Sequence, residues 1–102
     1  METDYTIIRR SWNGIEIEIR WQPDYCQFDD GGSMAHLEIE SISPPRAPLP
    51  ITETGYRSHF VHAREVQDAG GPEAYVEAWI GHLAKSRAWQ EAEFASRQLA
   101  LF

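Results

Sequence analysis

Ile15-Glu16-Ile17-Glu18-Ile19-Arg20-Trp21 is the stretch that decides the fold. Apolar and charged side chains alternate along it, so Ile15, Ile17, Ile19 and Trp21 share one face and Glu16, Glu18 and Arg20 the other. A period of two belongs to a β-strand with branched side chains toward a core and charge toward water. Upstream, Tyr5 to Trp12 supplies a partner strand. Asn13-Gly14 between them is a favoured pair for a two-residue hairpin, so these strands are expected to run antiparallel.

Downstream, Pro23-Asp24 is expected to break the second strand, with a short extended piece over Tyr25 to Phe28 and a loop at Asp29-Asp30-Gly31-Gly32. Met34 to Ile42 predicts a further strand with Leu37 and Ile39 inward and Glu38 and Glu40 outward. The run Pro44-Pro45-Arg46-Ala47-Pro48-Leu49-Pro50 has four prolines in seven residues, which excludes a helix or central strand and reads as a stiff connector. Ile51 to His62 is extended in character, interrupted at Gly55.

Helical signals then take over. A short turn from Arg64 to Ala69 stops at Gly70-Gly71, and Pro72 and Glu73 suit the first turn of the next helix. That helix carries Tyr75, Val76, Trp79, Ile80 and Leu83 on one stripe and Glu77, His82 and Lys85 opposite. Ser86 is placed to cap a last helix from Arg87, anchored by Trp89 and Phe94. Strands first and helices last predict one α+β domain over residues 1–102. Its antiparallel sheet of three or four strands fills the N-terminal half, and two or three C-terminal helices pack on one face.

With 102 residues, 42% of them hydrophobic and 12% aromatic, the chain can build one real core. Its 9 Lys+Arg against 16 Asp+Glu make a net charge of −7, which argues against direct nucleic-acid binding and against an anionic membrane surface. Residues 1–60 hold 10 Asp+Glu against 5 Arg, while residues 61–102 hold 6 against 4, so the acidity gathers on the sheet half. The single cysteine, Cys26, permits no internal disulfide and fits a reduced, cytoplasmic setting. The N-terminus has no secretory pattern, and no apolar run approaches the ~20 residues of a membrane span.

Chemistry-bearing patterns are few. His59, His62 and Glu65 have a spacing that would gather ligands on a helix, but on a strand the two histidines fall on opposite faces, and no metal site is expected. No cofactor motif is present, and the double glycines lack phosphate-loop spacing. Glu16, Glu18, Glu38 and Glu40 form an acidic ladder if their strands pair, partly offset by Arg9, Arg10 and Arg20. Such a row is a solvated face, a mimic of nucleic-acid phosphates, or a carboxylate pair for acid–base work. Ser58 beside His59 makes no nucleophile, because strand neighbours point apart and no elbow motif surrounds them. Tyr56, Arg57 and His59 remain as a polar candidate for a small ligand or enzymatic site, against a bulged strand facing water.

The chain ends Gln98-Leu99-Ala100-Leu101-Phe102. This resembles the bacterial sliding-clamp-binding motif, Gln-Leu-Ser/Asp-Leu-Phe, with alanine at its third position. The resemblance implies that Gln98 hydrogen-bonds at the entrance of an apolar cleft on the DNA polymerase clamp, Leu99 packs alongside, and Leu101 and Phe102 fill the deep pocket. The alternative is that the last helix runs on, with Ala92, Ala95, Leu99 and Phe102 as a stripe packing on the sheet. Separately, the stretches from Ile51 to Phe60 and from Ala69 to Val76 are similar to small uncharacterised proteins of bacterial plasmids and mobile elements, which supplies context and no activity. The expected function is protein–protein contact without catalysis. The clamp is the leading partner, and an acidic decoy for a nucleic-acid-binding host protein is the alternative.

Overall fold

A computed structural model describes residues 4–100. Four strands, β1 (Thr6–Trp12), β2 (Ile15–Gln27), β3 (Ser33–Ser43) and β4 (Tyr56–His62), precede three helices, α1 (Ala63–Asp68), α2 (Pro72–Ala84) and α3 (Arg87–Ala100). The strands lie in chain order in one antiparallel sheet, so the domain is α+β as its hydrophobic pattern requires. Asn13 and Gly14 both take positive φ, 50° and 80°, the geometry of a hairpin turn that matches the twist of β1 and β2.

The core lies between the sheet and α1–α2. Ile17, Ile19, Trp21, Leu37, Ile39 and Val61 point to it from the strands, and Val66, Val76 and Ile80 meet them from the helices. Tyr75, Trp79 and Leu83 flank this contact half-buried, which is the stripe expected of α2. The proline-rich connector is part of the core as well as a link. Leu49 and Ile51 are buried in it, and Leu49 and Thr52 exchange backbone hydrogen bonds of 2.8 and 2.9 Å.

Three expectations are corrected. Pro23-Asp24 does not end β2, which continues to Gln27. Gln22 pairs with His36 and Cys26 with Met34, so Pro23, Asp24 and Tyr25 stand opposite Ala35 alone. This bulge removes the ladder bond that proline cannot make. Second, β4 is not bulged, since Tyr56 to His62 pair one for one with Glu40 to Met34. Third, Phe94 is no anchor, being 59% exposed.

Trp89 does anchor α3, with its ring 5.9 Å from that of Trp12, and Ser86 Oγ accepts from Trp89 N at 3.1 Å as the cap. Past Trp89 only Glu93 is half-buried, where it accepts from Asn13 Nδ2 at 3.4 Å, and the side chains on to Gln98 are exposed. The radius of gyration is accordingly 15.4 Å, against about 13 Å for a compact chain of this length. No described helix is long and apolar enough to cross a membrane.

Candidate functional site: the helix-free face of the sheet

The helices cover one face of the sheet and leave the other open, so every second strand residue stands on a surface with no layer above it. Register sets the rows on that surface. Arg9, Glu18, Glu40 and Tyr56 form one row across β1 to β4, and Ile7, Arg20, Glu38 and Ser58 form the next. Gln22, His36 and Phe60 follow.

Arg20 sits at the centre of the acidic ladder. Its Nη1 donates to Glu18 at 2.5 Å, its Nε to Glu38 at 3.1 Å and its Nη2 to Glu40 at 3.0 Å. Arg9 holds Glu18 from the other side at 2.8 Å and reaches Glu16 at 3.9 Å. The ladder thus forms as its spacing predicts, with one correction to its counter-ions. Arg10 points to the helix side, where it pairs with Glu73 and Glu77 of α2.

These contacts set the protonation states. The Arg20 hydrogen bond, aided by Arg9, holds the Glu18 carboxyl below its usual range against the opposing effect of burial. Burial pushes Glu38 up, but hydrogen bonds from Tyr56 and Arg20 outweigh it and leave that carboxyl lowered too. Burial opposes the charge of Arg20, and its bonds to Glu18, Glu38 and Glu40 raise its pKa all the same. A general acid at neutral pH needs a raised carboxyl, and Glu18 and Glu38 are shifted the opposite way, toward the ionised form.

Beside the carboxylates lies an aromatic patch. The His36 and Phe60 rings stack with centroids 4.4 Å apart, and Tyr25 lies 5.2 Å from each. Strict alternation would send Tyr25 to the core side. The bulge at Pro23–Tyr25 turns it to the open face, where Tyr25 is 47% and Phe60 51% exposed. Sequence reasoning missed this grouping, and its one signal was a proline inside an otherwise strand-like run.

His36 also links Tyr5 and Ser58, with 2.7 Å from Tyr5 Oη to Nδ1 and 2.7 Å from Ser58 Oγ to Nε2. A serine bonded to a histidine invites a nucleophile reading. Glu38, however, stands directly across from Ser58 and is held ionised, which opposes the negative charge an acyl-transfer intermediate develops. These hydrogen bonds tie the residue just before β1 to β3 and β4.

The other candidates are separated. Tyr56 lies on the open face and donates to Glu38 at 2.5 Å, while Arg57 and His59 point to the helix side. His59 Nε2 is 3.1 Å from Tyr75 Oη and its ring is 4.6 Å from that of Trp79. Burial, then the charge of Arg57, lowers the His59 pKa. Gln98 is exposed on α3; the Leu99 side chain and residues Leu101 and Phe102 lie outside the described residues.

Residues 5–89, from β1 into the first turn of α3, match the family described as the KlcB third domain. The chain belongs to the KlcB third-domain family. This plasmid-associated family covers the whole open face, including the acidic ladder and the Tyr25–His36–Phe60 patch, and its match stops before Gln98. No curated protein and no solved structure matches the chain. In this KlcB third domain the matched span holds the sheet surface, and residues 90–102 lie outside it.

Proposed function

We propose that this KlcB third domain is a non-enzymatic protein–protein interaction module whose partner docks on the helix-free sheet face. The observation that carries this reading is an uncovered sheet surface on which carboxylates held ionised adjoin exposed aromatic rings. Four glutamates stand there against Arg9 and Arg20, which suits a basic partner. Large exposed apolar side chains beside them supply area that charge alone does not. The partner class that fits is a nucleic-acid-binding protein whose basic groove the ladder would occupy in place of phosphates.

The test uses a nona-arginine peptide and a duplex oligonucleotide as probes of the full chain. The peptide is expected to bind and to lose about tenfold in affinity between 50 and 300 mM salt, as screened charge pairs do. The Glu16→Gln/Glu40→Gln pair should weaken it further, and the oligonucleotide should not bind. Salt-independent binding, or equal binding by the double variant, would count against the reading.

A second reading is favoured by α3, whose exposed run after Trp89 carries Gln98 away from the core contacts. In that reading the pentapeptide Gln98–Phe102 binds the bacterial DNA polymerase sliding clamp. Purified clamp should then bind the full chain at about micromolar affinity, and a version lacking residues 98–102 should not bind at tens of micromolar (~10–50 μM). Equal binding by both, or by neither, removes the clamp as partner.

A further inference from the structure

We propose that the cleft between the proline-rich connector and the start of α3 binds a small carboxylate carried on an apolar body. The cleft has a volume of about 590 Å³, within the ~300–1,000 Å³ usual for small-molecule sites. Leu49, Trp89 and Ala92 give it apolar walls, Thr54 a hydroxyl, and Arg57 its one cation.

The state of Arg57 points to the ligand. Arg9, Arg10, Arg20, Arg87 and Arg97 each lie within 4.0 Å of a carboxylate. Arg57, like Arg46 and Arg64, has no such partner among the described residues, and of these three it alone lines this cleft. One of its nitrogens, Nη1, donates to the Ile51 carbonyl at 3.2 Å, and its Cζ stands 5.3 Å from the Trp79 ring. Those two contacts hold the guanidinium in place while Nε and Nη2 keep donors in a fork that matches a carboxylate.

The charge balance selects among anions. Glu53 also lines the cleft, so the wall offers one cation and one anion. A dianionic phosphate would meet net repulsion once Arg57 is matched, whereas a monoanion pairs with Arg57 and leaves its apolar body against Trp89. The ligand class is therefore an aromatic or branched aliphatic carboxylic acid. His59 is not part of this site, being engaged with Tyr75 and Trp79 under α2.

The experiment is an NMR titration of the full chain with phenylacetate, with neutral phenylacetamide as its isostere. Phenylacetate is expected to shift the Trp89 indole and the Thr52 and Thr54 amides saturably, with an affinity at least about tenfold above that of the amide. Arg57→Gln should abolish the preference for the acid. Ala92→Trp keeps Arg57 and its contacts but fills the cleft from an exposed helix position, so it should weaken both probes. Equal response to acid and amide, shifts confined to other surfaces, or no saturable response by about 20 mM would overturn the proposal.

Discussion

Gly55→Ala is expected to destabilise the domain by about 3 kcal/mol, lowering the thermal midpoint by ~15 °C. Gly55 has φ +79°, and an added Cβ would stand 2.5 Å from the Arg46 carbonyl carbon and 2.6 Å from its Cα. Those neighbours are backbone, so relief requires moving the connector as a whole. The connector carries Leu49 and Ile51 into the core, and the Gly55 carbonyl accepts from Ser41 N at 2.8 Å. Displacing it exposes buried apolar surface and frees a strand-end donor. Gly14→Ala is the control, because Gly14 has φ +80° but nothing within 4 Å of an added Cβ. It should cost only the backbone term, about 1 kcal/mol. Thermal melts of the two variants check this, and equal losses would show that the close approach at Arg46 does not constrain the connector.

Arg20→Gln is expected to cost about 2 kcal/mol at neutral pH and to change the sign of the pH dependence. Removing one partner of a fully buried pair costs about 3–5 kcal/mol, and the cost falls when solvent screens the charges left behind. Arg20 keeps 21% of its side chain exposed, so the lower figure applies. In the natural chain Glu18 and Glu38 sit below the ordinary 4.5, so their contribution is present above that pH and fades as pH falls through the folded values. Without Arg20, burial and mutual repulsion act on Glu18 and Glu38 and push them upward. Their cost is then relieved on acidification. Denaturant unfolding at stepped pH should show the two proteins converging in stability from pH 7 toward about pH 4.5. Parallel curves would mean that Arg20 does not control these carboxylates. The same substitution should strengthen nona-arginine binding at low salt, since it uncovers negative charge on the docking face.

Much of this architecture was legible along the chain. Alternation over Ile15–Trp21 and Leu37–Glu40, Asn13-Gly14, Pro72 and Ser86 each act within a few residues, where local sterics and hydrogen bonding decide conformation. The acidic ladder was legible for the same reason, since period-two spacing puts Glu16, Glu18, Glu38 and Glu40 on one face once their strands pair. The polar trio failed by the same rule, because adjacent strand residues face opposite ways and part Tyr56 from Arg57.

What sequence by itself determined is therefore the set of elements, their order, the faces of the strands and the acidic character of one face. Each follows from periodicity and turn chemistry, which need no knowledge of distant residues. Tertiary structure decided three further things. The bulge at Pro23–Tyr25 brings Tyr25 to His36 and Phe60, and only the pairing register of β2 with β3 specifies that turn. Arg10 leaves the acidic ladder for α2 because strand parity places it under that helix. Arg57 comes to line a cleft with Leu49 and Trp89, residues eight before it and 32 after it in the sequence. Contacts across such separations depend on how finished layers pack, and no local pattern encodes them.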